Sequence, residues 1–380
     1  MSKPSFSAVA GGVLAATALA AAGGAAASGA TVPSAHPSST APAFVSSLHT
    51  VSTIGSTVPP NGEVNPYGLA VIPASAGSLK AGDYLISNFN AKSNKQGTGS
   101  TIVQMTPAGK LSVFATVNAK TLPGSCPGGV GLTTALSILP GGYVVVGSLP
   151  TTNGMSATAQ YGCLIVLNSS GKAIETIAGK NIQGPWDMTS VTSGSTTTLF
   201  VSNVLNGGAK AGLKTVDNST VVRIRLSTAA GHAPTVQGEQ VVANGIPWRD
   251  DKTALAIGPT GVALASNGTL YVADTLENRI IAIPSAMTRS TPLVDKNITL
   301  SSGGHLIQPL GLILAPNGDI LTTNAGDGNI VETTPSGHQI ATVAGDAKAG
   351  AGSLFGLAIA PGDRSLAYVD DAANTLRLLH

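Results

Sequence analysis

Short apolar runs alternate with Asn-, Gly- and Pro-containing turns along most of the chain after residue 44. The clearest case joins the runs 259–265 and 269–273 through Asn267-Gly268, and a second joins 310–315 and 320–323 through Asn317-Gly318. Asn-Gly between two apolar runs is a strong signal for a β-hairpin, because both residues accept positive φ. The pattern therefore predicts antiparallel strands that are joined by tight turns.

The same unit recurs six times, as a first apolar strand, a second strand that ends in Asp, Asn or Ser, and then a third and usually a fourth strand. The position equivalent to Gly68 in the first copy falls at residues 68, 135, 187, 261, 311 and 356. Four-stranded propeller blades repeat about every 40–50 residues, and longer intervals fit insertions in surface loops. We predict an all-β, six-bladed β-propeller. A seventh blade within the long interval 187–261 is the alternative, although residues 237–243 look like the fourth strand of the third blade.

The last copy has only three strands before the chain ends, and a spare β-rich run lies at residues 49–54. A propeller needs closure, because the apolar faces of each blade are covered only by its neighbours. The sequence therefore predicts that the N-terminal run supplies the fourth strand of the last blade, with the domain spanning residues 44–380.

The fourth copy resembles the NHL-repeat β-propellers. The residues that carry this resemblance are Gly261-Val262-Ala263, the run 267–274 (Asn-Gly-Thr-Leu-Tyr-Val-Ala-Asp) and Asn278-Arg279-Ile280. The chain also looks like the wider group of secreted bacterial propellers related to gluconolactonases and streptogramin lyases. The resemblance implies a six-bladed fold, but one fold carries many functions.

Composition narrows the classes of function. Charged residues make up 10% of the chain, and the formal net charge is +2. A broad basic face for nucleic acid is therefore excluded. The 47 glycines and 23 prolines fit a fold that is rich in turns.

The first forty residues are predicted to direct export. Lys3 precedes an apolar run over about 9–22, and Ala25-Ala26-Ala27 provides small residues for cleavage. We interpret residues 1–30 as a signal peptide, with a membrane anchor as the alternative, and the Pro/Ser/Thr-rich residues 31–43 as a flexible linker. The protein is then secreted, extracellular or periplasmic, with no membrane association after cleavage, and is expected to be a monomer.

Cys126 and Cys163 are the two cysteines of the chain. Export permits disulfides, and both residues fall on the same face of the second predicted blade. We predict a disulfide between them, with two buried thiols as the alternative.

The face from which each inner strand is entered is the expected place for a ligand, at the mouth of the central channel. In blades one to three this face carries long predicted loops, at residues 89–100, 150–162 and 204–218. Long loops in a compact domain are often functional. The candidate ligand-binding residues at this mouth are Asn65, Thr133, Trp186, Asp187, Trp248, Arg249, Thr260, His305, Gln308 and Phe355. The alternative for both tryptophans is that they plug the channel or pack between blades.

Polar residues recur at the end of the second strand of each copy: Asn88, Ser148, Asn203, Asp274, Asn324 and Asp370. They are interpreted either as oxygen ligands for Ca²⁺ or another divalent cation, or as residues that bond their own turn backbone. Their repetition in every blade favours the second interpretation. The resemblance to gluconolactonases implies a Glu, Asn and Asp set for a divalent cation. Asp187, Asn203 and Asp274 are the nearest equivalents, and no Glu stands at a blade entrance.

These observations lead to two hypotheses. The first is a non-catalytic scaffold that binds an extracellular protein, peptide or saccharide through the long-loop face. The second is a metal-dependent, lactonase-like hydrolase or lyase at the channel mouth. Only His305 lies near a blade entrance, which disfavours a three-histidine zinc site, and the scarcity of His and Glu favours the scaffold.

Overall fold

The computed structural model describes residues 42–206, 212, 214–252, 254–296, 298–346 and 354–380. All of them belong to the unit Ser38–His380. The predicted signal peptide at 1–30 and most of the predicted linker at 31–43 lie outside the described residues, so both stay predictions. No helix in the described part of the chain is long and apolar enough to cross a membrane.

The strands form six antiparallel sheets that follow one another along the chain as propeller blades. Strand β1 is Val51–Ser56, and blade one follows as β2 Val64–Val71, β3 Tyr84–Asn90, β4 Thr101–Met105 and β5 Leu111–Thr116. Blade two is β6 Leu132–Leu139, β7 Tyr143–Ser148, β8 Cys163–Leu167 and β9 Ala173–Ile177. Blade three is β10 Gly184–Ser193, β11 Thr196–Val204, β12 Val216–Ser227 and β13 Thr235–Asp251, and β14 Leu255–Ile257 pairs with its end.

Blades four to six complete the ring. Blade four is β15 Pro259–Leu264, β16 Leu270–Asp274, β17 Arg279–Ile283 and β19 Thr299–Ser302, and β18 Leu293–Val294 pairs with β13 of blade three. Blade five is β20 Pro309–Leu314, β21 Ile320–Asn324, β22 Asn329–Thr333 and β23 Gln339–Ala344. Blade six is β24 Leu354–Ile359, β25 Leu366–Asp370 and β26 Thr375–Leu379, with β1 as its fourth strand. Among the described residues, four single-turn 3₁₀ helices lie at Val45–Ser47, Ala119–Thr121, Pro140–Gly142 and Ser156–Thr158.

The prediction of six blades with N-terminal closure is confirmed. Strand β1 pairs antiparallel with β26 from Val51↔Leu379 to Ser56↔Thr375. The long interval 187–261 contains the strands of blade three and β14, and its length reflects the 17-residue strand β13, which pairs with β12 through several register shifts and includes the predicted run 237–243. The length of that interval is therefore not due to a seventh blade.

The N-terminal segment is also held by a buried carboxylate. Glu332 is fully buried on β22 and accepts hydrogen bonds from the backbone N–H groups of Phe44 and Val45, both at 2.8 Å. Since Val45 and Leu48 pack with the apolar residues of blade six, this contact fixes the segment that leads into β1.

Side-chain hydroxyls link neighbouring blades around the channel. Ser87 of blade one, for example, accepts from the Gly68 N–H at 2.9 Å and donates to the Thr133 carbonyl of blade two at 2.7 Å. The hydroxyls that donate to an inner strand of the next blade are those of Ser87, Thr134, Ser202, Thr275 and Thr323. At the sixth junction, the Asn65 N–H donates to Asn374 Oδ1 at 2.7 Å. The ring is therefore closed by neutral hydrogen bonds, which agrees with the low content of charged residues.

The predicted disulfide is confirmed. Cys126 and Cys163 are bonded, with Cα atoms 5.3 Å apart. Cys163 begins β8 and is fully buried, and Cys126 lies in the connection between blades one and two. The bond therefore ties this connection to the body of blade two.

Candidate functional site

The predicted long loops of blades one and two are present, and the described part of the blade-three loop begins at Leu205. Leu149 and Ala159 from the blade-two loop, and Leu205 from the blade-three loop, are buried against Trp248 and Leu255. The first two loops also bond to each other, because Thr151 N–H donates to the Gly97 carbonyl at 2.9 Å. These loop residues therefore form an apolar cap over blades one to three.

Four aromatic side chains lie beneath the cap. Tyr67 is stacked between Phe89 and Phe355, with ring centroids 4.5 and 4.0 Å away, and Trp186 contacts Tyr67 and Phe89 edge-on at about 6 Å. All four are buried. We call Tyr67, Phe89, Trp186 and Phe355 the aromatic plug.

A cavity of about 210 Å³ opens beside the cap, where the loops are short. Its apolar lining comes from Tyr67, Ala254, Ile257, Leu310, Ala325 and Phe355. Its polar lining comes from Asn65, Gln96, Asp251, Thr275, Gln308 and Asp371. We call this space the mouth cavity. It has the composition of a small-molecule site, namely an apolar floor with a few converging polar groups.

Asp371 is the least compensated acid of the mouth cavity. Burial, and then the neighbouring charge of Asp370, raise the pKa of Asp371 to about 7. Burial and then the charge of Asp371 raise the pKa of Tyr67 well above its usual value, while a hydrogen bond from Asn65 opposes this. None of the ion pairs between described residues involves Asp371. A carboxyl that titrates near neutrality therefore faces the cavity close to a phenol.

The opposite wall carries a second carboxylate that is already paired. Asp251, at the end of β13, lies 3.3 Å from Arg249 Nη1 and accepts from the Ala254 N–H at 3.0 Å. Asn65 also lines the cavity, at φ +63° and 4% exposed, and its Oδ1 has no hydrogen-bond partner among the described residues. An acceptor that is buried without a partner costs free energy, which a ligand carrying a donor would recover.

The predicted ligand-binding residues divide into two groups. Asn65, Gln308 and Phe355 line the mouth cavity, and Arg249 reaches it through Asp251. Thr133 and Thr260 are buried in contacts between blades. The side chain of His305 is exposed and does not line the cavity. Asp187 lines a different part of the channel. Trp186 belongs to the plug, and Trp248 is buried in the cap with its Nε1 donating to Asn218 Oδ1 at 2.6 Å. Both tryptophan side chains are therefore packed among apolar residues, as in the alternative, and their role as ligand contacts stays a prediction.

The three residues predicted as metal ligands do not share one site. Asn203 Oδ1 accepts from the N–H groups of Gln183 and Gly184, at 2.9 and 2.8 Å. Asp274 forms an ion pair with Arg279 at 2.8 Å. Among the described residues, no group of three His, Cys, Asp or Glu side chains is placed to hold a metal ion. The donor set of this structure therefore does not fit the divalent cation that the resemblance implies.

Other strand-end residues have comparable structural contacts. Ser148 accepts from the Gly131 N–H and donates to the Gly129 carbonyl, and Asn324 donates to the His305 carbonyl. Asp370 pairs with Arg377 at 2.7 Å. Each contact fixes the end of a second strand or the segment that enters an inner strand.

The two acids of the mouth cavity, Asp251 and Asp371, are not among the predicted site residues, although the sequence placed the run 248–251 near the mouth. Both are the second member of an Asp-Asp pair, Asp250-Asp251 and Asp370-Asp371, and the chain has no other pair of adjacent acidic residues. In each pair the first Asp is buried in structural contacts and the second lines the cavity. In a chain with 18 acidic residues, the two Asp-Asp pairs were the sequence feature that could have identified Asp251 and Asp371.

No protein-family model matches the chain, and no curated protein matches it in sequence. Solved structures do match in fold. They include a gluconolactonase from Xanthomonas campestris (TM-score 0.54, 14% identity, 87% of this chain and 88% of that one). They also include a streptogramin B lyase (0.50, 13%, 87% and 97%) and the calcium-binding protein regucalcin from Agrobacterium tumefaciens (0.50, 15%, 86% and 93%).

The chain therefore has the six-bladed propeller fold that these solved structures share, as the sequence resemblance implied. At these identities the likeness concerns the fold alone, and the NHL-repeat assignment stays a prediction.

Proposed function

We propose that this chain is a secreted β-propeller that binds a small polyhydroxylated ligand, of the saccharide class, in the mouth cavity. The observation that carries the proposal is the uncompensated Asp371 carboxyl, which faces a cavity with five other polar side chains. Carboxylates and side-chain amides together accept from and donate to vicinal hydroxyls. The disulfide supports the export on which this proposal relies.

The position of the cavity refines the scaffold hypothesis. The long loops contribute mainly buried apolar residues to the cap, and Gln96 is the polar residue that the blade-one loop adds to the cavity. Ligand contacts are therefore expected on the open side of the mouth, from blades four, five, six and one and from the end of blade three, where Asp251 and Ile257 line the cavity. In this view the long loops support the site and exclude water from the plug.

The test is a calorimetric titration of the protein with glucose, galactose, mannose and N-acetylglucosamine. We expect at least one to bind, and Asp371→Asn to weaken that binding about ten-fold, because a charge-assisted hydrogen bond becomes a neutral one. The matched control is Asp363→Asn, since Asp363 is an exposed residue between β24 and β25, at the far end of blade six. Binding that is equal in wild type and Asp371→Asn would contradict the proposal, as would no binding of any sugar.

A second candidate function is an acid–base enzyme, a lactone hydrolase or lyase, at the same site. It is favoured by the pKa of Asp371, which burial raises to about 7 beside Tyr67, since a general base works best near the ambient pH. The carboxylate would take the proton from the attacking water or from the substrate carbon. The assay is the hydrolysis of five- and six-membered lactones, followed by proton release between pH 5 and 9.

The enzyme hypothesis requires that the rate of lactone hydrolysis rise as the pH passes 7, and that Asp371→Asn abolish this activity. Elemental analysis, with a thermal shift after chelation, runs alongside on the same preparation. A stoichiometric metal that stabilises the protein would indicate that the activity depends on a metal ion. Absence of turnover on every lactone leaves the ligand-binding function and removes this one.

A further inference from the structure

One position of the inner strand is equivalent in all six blades. It falls at a break in the pairing with the second strand, such as that between Pro66 and Leu69 in blade one and between Pro309 and Leu312 in blade five. The residues at this position are Gly68, Ala135, Asp187, Gly261, Gly311 and Gly356. Four of the six are therefore glycines.

The glycines are required by the closeness of the next blade. A Cβ atom on Gly261 would lie 2.3 Å from Leu312 N, and one on Gly311 or Gly356 would lie 2.4 Å from the carbonyl oxygen of Phe355 or Tyr67. These neighbours are backbone atoms, which cannot move without shifting a strand. Ala135 carries only a methyl group at this position, so Asp187 is the one residue of the six with a longer side chain. Departures from a local rule concentrate at functional sites.

Asp187 departs from the rule with a carboxylate. Its Oδ1 accepts from the Met188 N–H at 2.8 Å, and the backbone N–H of Val262 in blade four also bonds to the carboxylate. The side chain therefore reaches across the junction of blades three and four at the wall of the channel.

The same side chain lines a cavity of about 250 Å³ that is bounded by the inner strands of all six blades. We call it the channel cavity. It shares no lining residue with the mouth cavity. The inner strands are the unpaired edges of their sheets, so they offer backbone N–H and C=O groups to this space. Its side-chain lining is otherwise aliphatic apart from two threonines, Thr134 and Thr189.

Asp187 is the single ionisable residue among the described residues that line the channel cavity. Burial raises the pKa of Asp187 to about 7, against the effect of its hydrogen bonds from Met188 and Val262. None of the ion pairs between described residues includes it. Its charge is therefore uncompensated, and one positive charge would balance it.

We propose that Asp187 anchors the ammonium group of a small primary amine in the channel cavity. The three donors of an ammonium ion match the carboxylate together with nearby carbonyl or hydroxyl oxygens. The aliphatic side chains of Leu136, Met188 and Leu312 suit the hydrocarbon part of the ligand. A single carboxylate calls for a monocation, and aliphatic walls favour an organic cation over a hydrated metal ion.

The test is a titration of the full chain with n-butylammonium chloride, followed by calorimetry and by the amide resonances of Met188 and Val262. The matched probes are n-butanol, sodium butyrate and potassium chloride. We expect butylammonium to bind, to shift both resonances, and to bind about ten-fold more weakly to Asp187→Asn, because the charge-assisted hydrogen bond is lost. Asn keeps an acceptor for the Met188 N–H.

Asp187→Gly is the second variant, because four other blades carry Gly at this position, and it keeps the test valid if the Asn variant does not fold. Equal binding of butanol and butylammonium would overturn the proposal, as would potassium binding in place of the amine. Amine binding that is lost in Asp371→Asn but kept in Asp187→Asn would place the amine in the mouth cavity and would also overturn it. These outcomes are independent of sugar binding, so this proposal and the proposed function can fail separately.

Discussion

The close contact of neighbouring inner strands predicts that adding one methyl group at Gly261 destabilises the whole ring. The new Cβ in Gly261→Ala would lie 2.3 Å from Leu312 N, 2.5 Å from the Leu310 carbonyl oxygen and 2.7 Å from the Gly311 carbonyl carbon. Ordinary contacts between such atoms are about 3.5 Å, so β15 and β20 must separate by about 1 Å. Overpacking of this kind costs about 1–3 kcal/mol. We expect a value near 3 kcal/mol, since all three neighbours are backbone atoms.

Equilibrium unfolding in guanidinium, followed by fluorescence, measures this cost, because Trp186 and Trp248 are both buried in the native state. The expected fall in melting temperature is about 6 °C, given roughly 2 °C per kcal/mol for a large domain. The matched control is Gly238→Ala, on an exposed part of β13 where a Cβ meets nothing within 4 Å. Its unfolding free energy should stay within about 0.5 kcal/mol of wild type. A Gly261→Ala protein as stable as this control would refute the steric argument, and with it the reason for regarding Asp187 as exceptional.

Three further predictions concern stability. Replacing Cys126 and Cys163 by Ala opens a loop with a sequence separation of 37 residues, and the unfolding free energy should fall by about 3–4 kcal/mol in denaturant titrations. A variant as stable as the oxidised wild type would contradict a structural role for the disulfide. Glu332→Gln should lower the unfolding free energy by about 1.5–3 kcal/mol and should speed proteolysis of the N-terminal segment, because two backbone donors lose a charged acceptor. Unchanged protection from proteolysis would contradict the role of Glu332 in holding this segment. Burial raises the pKa of Asp187 and of Asp371 from a usual 3.8 to about 7, so the folded state holds protons that the unfolded chain releases. The unfolding free energy should therefore fall as the pH rises from about 4 to 7, and less so in the Asp→Asn variants; a stability that rises over this window would show the opposite sign.

The fold could be predicted from the sequence because each blade carries its own turn signals. Asn267-Gly268 and Asn317-Gly318 lie in the turns of their hairpins, between β15 and β16 and between β20 and β21. The closing strand was predictable because the last copy lacked one strand and the N-terminus had one to spare. These are local or counting arguments, and neither depends on where a side chain points.

The site was predicted only in part, because its composition depends on directions that the sequence does not specify. Asn65, Gln308 and Phe355 were found because they start inner strands, and every inner strand starts at the mouth. Asp371 follows a strand-end residue that is structural, and only the turn after β25 aims its carboxyl into the cavity. Asp251 reaches the mouth because the register shifts of β13 extend that strand to the rim. Thr133 and Thr260 start inner strands as well, yet the ring of hydrogen bonds between blades uses them.

The scarcity of charge has a different meaning once the structure is known. Hydroxyl and amide groups join the blades, so few ion pairs are needed in the ring. Asp251 is paired with Arg249, whereas Asp187 and Asp371 form no ion pair with any described residue, and burial raises the pKa of each of these two acids to about 7. A protein with many surface charges would screen or pair such groups at little cost, whereas this one leaves two acids to be compensated from outside. The low charge that disfavoured a multi-carboxylate metal site is thus the same property that leaves Asp187 and Asp371 as single carboxyls without an ion-pair partner among the described residues, and both ligand proposals rest on that property.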